Sequence, residues 1–215
     1  SGDQRSRAFD QLGAGKPLYN SAIRDLRGVN YTNFDYLAQV ARAAELTEVD
    51  GVIAADNLDG DSAWIIAGAI AREVKRLKLI AHFSPGLGSA VYAAKQAVTF
   101  QRYSDNRFGW ALSTSDDPAE RRALGDYIDA GKIQARLEEF LIVSKGVASQ
   151  SKFTFKGEYF EVLDGGFGGP LSGLALPEIT LRGISDDALA LSAKYADVHE
   201  FDLGAEDLDG RIAKL

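Results

Sequence analysis

Residues 79–113 read LIAHFSPGLGSAVYAAKQAVTFQRYSDNRFGWALS. Two short apolar runs, Leu79 to Phe83 and Phe108 to Ser113, bracket a longer segment, Ala90 to Tyr103, of helical length. Neither run alternates apolar with polar residues, the pattern of strands covered on both faces. Strand, helical crossover and second covered strand together make the βα unit of a parallel sheet, because a parallel neighbour can be reached only by crossing over one face.

The same rhythm extends in both directions. Upstream, Asn33 caps a segment in which Phe34, Leu37, Val40, Ala41 and Ala44 recur at helical spacing, followed by the apolar run Gly51 to Ala55 and a predicted helix from Ser62 to about Leu77. Downstream, two helices are predicted over Ala119–Ile128 and Ile133–Val147, the second with Leu137, Phe140, Leu141 and Ser144 on one face. Phe153 to Val162 then alternates as a hairpin turning at Lys156-Gly157, and Gly165 to Gly173 reads as loop. A strand Ile179–Leu181, a helix Asp186–Tyr195, a strand Val198–Phe201 and a last helix from about Ala205 complete the pattern. The expected fold is therefore α/β with a parallel sheet and an inserted β-hairpin, and the pattern alone fits either an open doubly wound sheet or a closed (β/α) barrel that is incomplete or shortened. Five strands are visible where a full eight-stranded barrel typically takes ~250 residues. Residues 1–31 show no clean period and are expected to form an irregular N-terminal arm before a single barrel domain over 32–215.

Composition narrows the function. With 215 residues, 46% hydrophobic and 26% charged, the chain can bury a substantial core. A net charge of −7 without a Lys/Arg cluster argues against a nucleic-acid partner. No run is long and apolar enough to span a bilayer, and a cytoplasmic location is expected. There is no cysteine, and two histidines make no metal cluster of ordinary spacing, so no metal is expected. Asp56 to Asp61 fails as a calcium loop at Leu58, and the glycines from Gly165 follow a hairpin, so they are not a dinucleotide fingerprint.

Ligands of parallel α/β folds gather at the C-terminal ends of the strands. Two segments there can bind. Arg182-Gly183-Ile184-Ser185 leads into a helix whose first N–H groups and positive dipole end suit a phosphate, with Gly183 admitting a ligand close to the backbone. Ser185 would cap that helix in any case, so a cradle and a plain cap fit equally well. Ser113-Thr114-Ser115-Asp116-Asp117-Pro118 offers hydroxyls to the edge of a heterocycle, or serves only as a polar helix start. His82 and His199 are the candidate catalytic groups, each with a structural alternative inside its strand. Adjacent residues such as His199 and Glu200 point to opposite faces and cannot line one pocket. Phe83, Trp110 and Phe167 could shape an apolar pocket or be plain core.

Several segments in order resemble the luciferase-like flavin monooxygenases, and within them the alkanesulfonate monooxygenase branch. They are Phe34-Asp35-Tyr36-Leu37, Ala41 to Glu45, Asp50-Gly51-Val52, Trp64, Ser84-Pro85-Gly86 and Phe100 to Phe108. Then come Asp117-Pro118, Glu139-Phe140-Leu141, Phe155 to Phe160 and Gly183 to Ala188. The resemblance implies a (β/α) TIM-type barrel, incomplete or shortened, that takes reduced FMN from a flavin reductase and oxidises a small organic molecule, in that branch a sulfonate. It implies that Gly183, Ile184 and Ser185 hold the FMN phosphate while Thr114 and Ser115 stand near the isoalloxazine. F420-dependent hydride transfer is a second activity of such a family, and a non-catalytic flavin-binding or scaffold protein is a third reading. The exposed edges of an incomplete barrel lead to the expectation of a homodimer. Three departures stand out. No first strand is recognisable in Ser1 to Tyr31. The strands after Asp202 that bring the usual catalytic histidine and arginine have no counterpart. Ile133-Gln134 replaces an Arg-Tyr pair that helps to place the flavin.

Overall fold

A computed structural model of the chain describes residues 33–56, 60–114, 117–201, 207–213 and 215. The expected N-terminal arm over residues 1–31 lies outside them, as does Ser115. In chain order the elements are α1 (Asn33–Leu46), β1 (Gly51–Ala54), α2 (Ala63–Ile70), β2 (Lys78–Phe83), α3 (Ala90–Ser104), β3 (Phe108–Leu112), α4 (Pro118–Ala123), α5 (Ile133–Ser149), the hairpin strands β4 (Phe153–Lys156) and β5 (Glu161–Gly165), β6 (Glu178–Arg182), α6 (Asp186–Tyr195), β7 (Val198–Glu200) and α7 (Leu208–Ile212). β1, β2, β3, β6 and β7 pair in that order, all parallel, as a curled sheet that forms part of a barrel. The hairpin forms a separate antiparallel pair.

The register sorts each strand into two faces. Leu79, Ala81 and Phe83 on β2 pair with Phe108, Trp110 and Leu112 on β3, and the latter two pair with Ile179 and Leu181 on β6. All eight are at most 9% exposed and form the core against the helices. Trp110 is central, with the rings of Phe83, Phe140 and Trp64 centred 5.6, 6.0 and 6.2 Å away. On α3, Ala90, Ala94 and Ala97 lie along one fully buried stripe, letting α5 approach closely enough for Ser144 Oγ to donate to the Ala90 carbonyl at 3.4 Å. The alternate residues, Lys78, Ile80 and His82 on β2, Gly109 and Ala111 on β3, Glu178, Thr180 and Arg182 on β6, and Val198 and Glu200 on β7, form the concave face. Lys78 Nζ and Glu178 Oε2 meet there at 2.9 Å across β3, at the level where Gly109 places no side chain between them.

Three expectations need correction. α2 ends at Ile70 rather than near Leu77. Residues 75–77 instead turn to present three consecutive backbone N–H groups to Glu45 Oε1, at 2.8, 2.5 and 3.2 Å. α4 stops at Ala123 instead of Ile128, because Gly125 takes φ +84° and reverses the chain. The hairpin does not turn on two residues, since Lys156 pairs with Glu161 and leaves residues 157–160 as the loop. Glu139 on α5 holds that loop, accepting from the N–H groups of Glu158, Tyr159 and Phe160 at 2.7, 2.8 and 3.0 Å.

Candidate functional site at the C-terminal rim of the sheet

Where β6 ends, Gly183 takes φ +145° and a Cβ there would sit 2.8 Å from the Ala188 Cβ. Only glycine allows the chain to fold this tightly back onto the first turn of α6. Ser185 is the N-cap, its Oγ accepting from Ala188 N at 3.2 Å while its carbonyl accepts from Leu189 N at 2.9 Å. Of the two sequence readings, the cap is thus realised, and the hydroxyl proton remains able to donate outward. Two guanidinium groups flank the turn. Arg211 on α7 donates to the Ile184 carbonyl. Arg182 on β6 lies 3.9 Å from Glu200 on β7, a loose pair on the concave face.

The next two strand ends add the second part. His82 Nε2 lies 2.5 Å from Ser113 Oγ, just past β3, and the direction of that hydrogen bond follows the imidazole tautomer. Burial holds the His82 pKa below its ordinary value, the charges of Asp56 and Glu200 work against this, and Arg182 reinforces it. His82 is thereby biased toward the neutral imidazole, with charges from three other strand ends acting on it. Thr114 follows Ser113 on this rim and is partly buried.

The two histidines part company. His199 points to the opposite face of the sheet, where Nδ1 bonds Ser192 Oγ on α6 at 2.8 Å and the ring packs edge-on against Phe201. Burial lowers its pKa, opposed by the Gly183 carbonyl and by Glu200. It supports the Gly183 turn from behind and does not share a surface with His82. A pocket of about 220 Å³ opens beside the rim, lined by Trp64, Phe83, Ser84, Tyr92, Gln96 and Phe140. Phe83 thus serves both core and pocket, whereas Trp110 is wholly core.

Sequence reasoning did not find Arg211, or the bidentate pair Arg136–Asp126 at 3.0 and 2.6 Å, because nothing local marks a residue whose partner is supplied by another element. It also undervalued Gln134, whose buried Oε1 has no hydrogen-bond partner among the described residues. Conversely, many family-like residues are structural. Gln101 Oε1 accepts from Phe108 N at 3.0 Å, and Arg107 donates to the carbonyls of Leu77 and Ala71 at 3.0 and 3.2 Å.

A curled parallel βα sheet with a glycine turn opening a helix and an inserted hairpin defines a barrel-derived α/β protein. The family model for luciferase-like monooxygenases matches residues 16–212, and the chain belongs to that family. Among solved structures, the chain is similar to EDTA monooxygenase from Chelativorans sp. BNC1, with 22% identity over 80% of this chain and 47% of that one and a TM-score of 0.69. It is also similar to a riboflavin lyase solved with modified FMN and riboflavin, at 16% identity over 87% of this chain and 54% of that one, TM-score 0.74. An F420-dependent secondary alcohol dehydrogenase in complex with an F420-acetone adduct matches at 21% identity over 79% and 54%, TM-score 0.66. At these identities the likeness is one of fold, and the chain spans about half the length of these proteins.

The residues present fit the phosphate end of a flavin. The turn carries no side chain at Gly183, the ten-residue α6 begins just after it, Arg182 precedes it in the chain and Arg211 donates to its Ile184 carbonyl. Asp186 and Asp187 in the first turn oppose an anion in part.

Proposed function

We propose that this chain is an FMN-dependent oxidoreductase of the monooxygenase type, acting on a small organic molecule with reduced flavin and oxygen. The observation that supports it most is the Gly183 turn at the mouth of α6, whose Ile184 carbonyl accepts from Arg211 and which follows β6, the strand beside the β3 that leads into Ser113 and its partner His82. When bound, the flavin supplies the redox chemistry. The chain's own residues bind, orient and move protons. Gly183, Ile184 and Ser185 hold the phosphate, with Arg182 and Arg211 adding positive charge. From the family resemblance, Thr114 and Ser115 are assigned to the edge of the isoalloxazine. His82, held neutral, accepts a proton at Nε2 or passes one through Ser113 Oγ. His199 fixes the strand beneath the phosphate turn.

A sulfonate is the substrate class of the branch that the sequence resembles. A flavin reductase as electron source, a homodimer and a cytoplasmic location belong to the same proposal. Two further readings each have one observation behind them. The F420-dependent dehydrogenase among the similar folds supports F420 as cofactor. The Gly183 turn, which serves flavin holding without turnover equally well, supports a non-catalytic flavin-binding protein.

The test is titration of the chain with oxidised FMN, dithionite-reduced FMN and F420, followed by rapid mixing with oxygen in the presence of candidate sulfonates. Preference for reduced FMN with oxygen-dependent substrate loss supports the monooxygenase. Flavin binding without turnover selects the carrier, F420 binding selects the dehydrogenase, and binding of none overturns all three.

A further inference from the structure

The pocket of about 220 Å³ beside the rim is walled by aromatic rings and carries one charge. Four aromatic residues from four elements line it, Trp64 on α2, Phe83 at the end of β2, Tyr92 on α3 and Phe140 on α5. The rings of Trp64 and Phe83 are centred 5.3 Å apart at 57°, and those of Phe83 and Phe140 6.4 Å apart at 66°, so they stand as inclined walls rather than a stack. Among the described lining residues the single charged side chain is Asp56, partly buried just past the end of β1. The other polar groups there are the hydroxyls of Ser84, Ser89 and Tyr92 and the Gln96 amide.

The arginines of this end of the molecule are engaged elsewhere. Arg136 holds Asp126 through both Nη atoms and packs on Gly86, where any Cβ would overlap its guanidinium. Arg121 on α4 is buried and donates to the Ile128 carbonyl at 3.1 Å. Neither lines the pocket. An aromatic ring carries negative charge on its face and a carboxylate adds a full one, so a site built from both attracts a cation and repels an anion. Water-poor walls strengthen both effects. The volume lies below that of sites for drug-sized molecules, which limits the occupant to a small one. Asp56 also acts on His82, placing the pocket beside the proton-handling pair.

We propose that this pocket binds a small organic cation, an alkylated ammonium group held among Trp64, Phe83, Tyr92 and Phe140 and paired in charge with Asp56. The proposal rests on the oxidoreductase reading only in making that cation the substrate, and it replaces the sulfonate of the resembled branch with a group of opposite charge. The probe is choline, compared with its uncharged isostere, in which a tert-butyl group replaces the trimethylammonium, and with methanesulfonate, chloride holding the ionic strength constant. The chain has two tryptophans and Trp110 is wholly buried, so a change in emission on binding reports Trp64. Choline should change the emission saturably and bind roughly tenfold more tightly than the isostere, while methanesulfonate leaves it unchanged. Asp56→Asn, shown by circular dichroism to be folded, should lose roughly tenfold in choline affinity and nothing toward the isostere. No saturable response to choline, equal binding of the isostere, or tighter binding of methanesulfonate overturns the proposal on the unaltered chain, whatever becomes of the variant. FMN titration of the same sample without choline is a separate readout. Flavin binding with no choline response sinks the cation site alone, and a choline response with no flavin binding sinks the flavin reading alone.

Discussion

The two faces of the sheet obey different rules, although the same strands build both. On the helix side, eight residues of β2, β3 and β6 are uniformly apolar and nearly inaccessible, and Trp110 sits at their centre. On the concave side β2, β6 and the neighbouring β7 carry Lys78, His82, Glu178, Thr180, Arg182 and Glu200, with Lys78 paired to Glu178 and Arg182 to Glu200. One histidine falls on each side. His199 disappears behind the phosphate turn as a packing residue, while His82 meets Ser113 and the charges of the rim. Stability is thus concentrated on one side and chemistry on the other, at residues one position apart along the chain.

The sharpest way to break this contrast is Trp110→Ala. It should cost about 3–5 kcal/mol by denaturant titration, since it empties a dry site. A cost below about 1 kcal/mol would mean that the helix side is not the core. Next is Gly183→Val, which combines φ +145° with overlap on Ala188. It should lose roughly 1–3 kcal/mol of stability and at least tenfold in FMN affinity. Retained affinity, measured by fluorescence quenching, would move the phosphate away from this turn.

His82→Asn should leave the fold intact, with a stability change within about 1.5 kcal/mol, while abolishing the proton-handling arm of any turnover pH profile. Its pH signature follows from the lowered pKa. The unfolded chain takes up a proton near the ordinary value of 6.5 and the folded chain resists doing so, so the His82 contribution is complete above that value and shrinks as the pH falls through it. His199 has the same sign, and urea midpoints between pH 7.5 and 5 should flatten stepwise in His82→Asn and the double variant. If His82→Asn alone leaves the pH slope unchanged, His82 is not the buried group inferred here. The smallest effect is expected for Glu178→Gln. Its pair with Lys78 has side chains 36% and 39% exposed, so the loss should stay below about 1 kcal/mol and fade in salt.

Much of this architecture was legible in the chain itself. The near-continuous apolar runs at Leu79–Phe83 and Phe108–Leu112 could only be covered strands, and the helical stripes of α3 and α5 were equally plain. Legibility failed where a distant group decides a local ending. α2 stops early because Glu45 waits 30 residues away, and the hairpin loop widens because Glu139 fills it. The rim was half visible. The glycine turn and the hydroxyls after β3 could be placed by rule, but which histidine joined them depended on strand register, and Arg121 and Arg136 drew no signal because their sequence neighbours say nothing of Asp126 or Gly86.

Glu45 and Glu139 have one more consequence, for the order of events in folding. Each carboxylate ties three successive N–H groups across 19 to 32 residues of chain, so each bond set closes a loop that must first be brought together by packing of α1 or α5. Such clasps tighten late. Removing one should speed the escape from the native state far more than it slows arrival, making these two surface carboxylates guardians of lifetime rather than of folding speed.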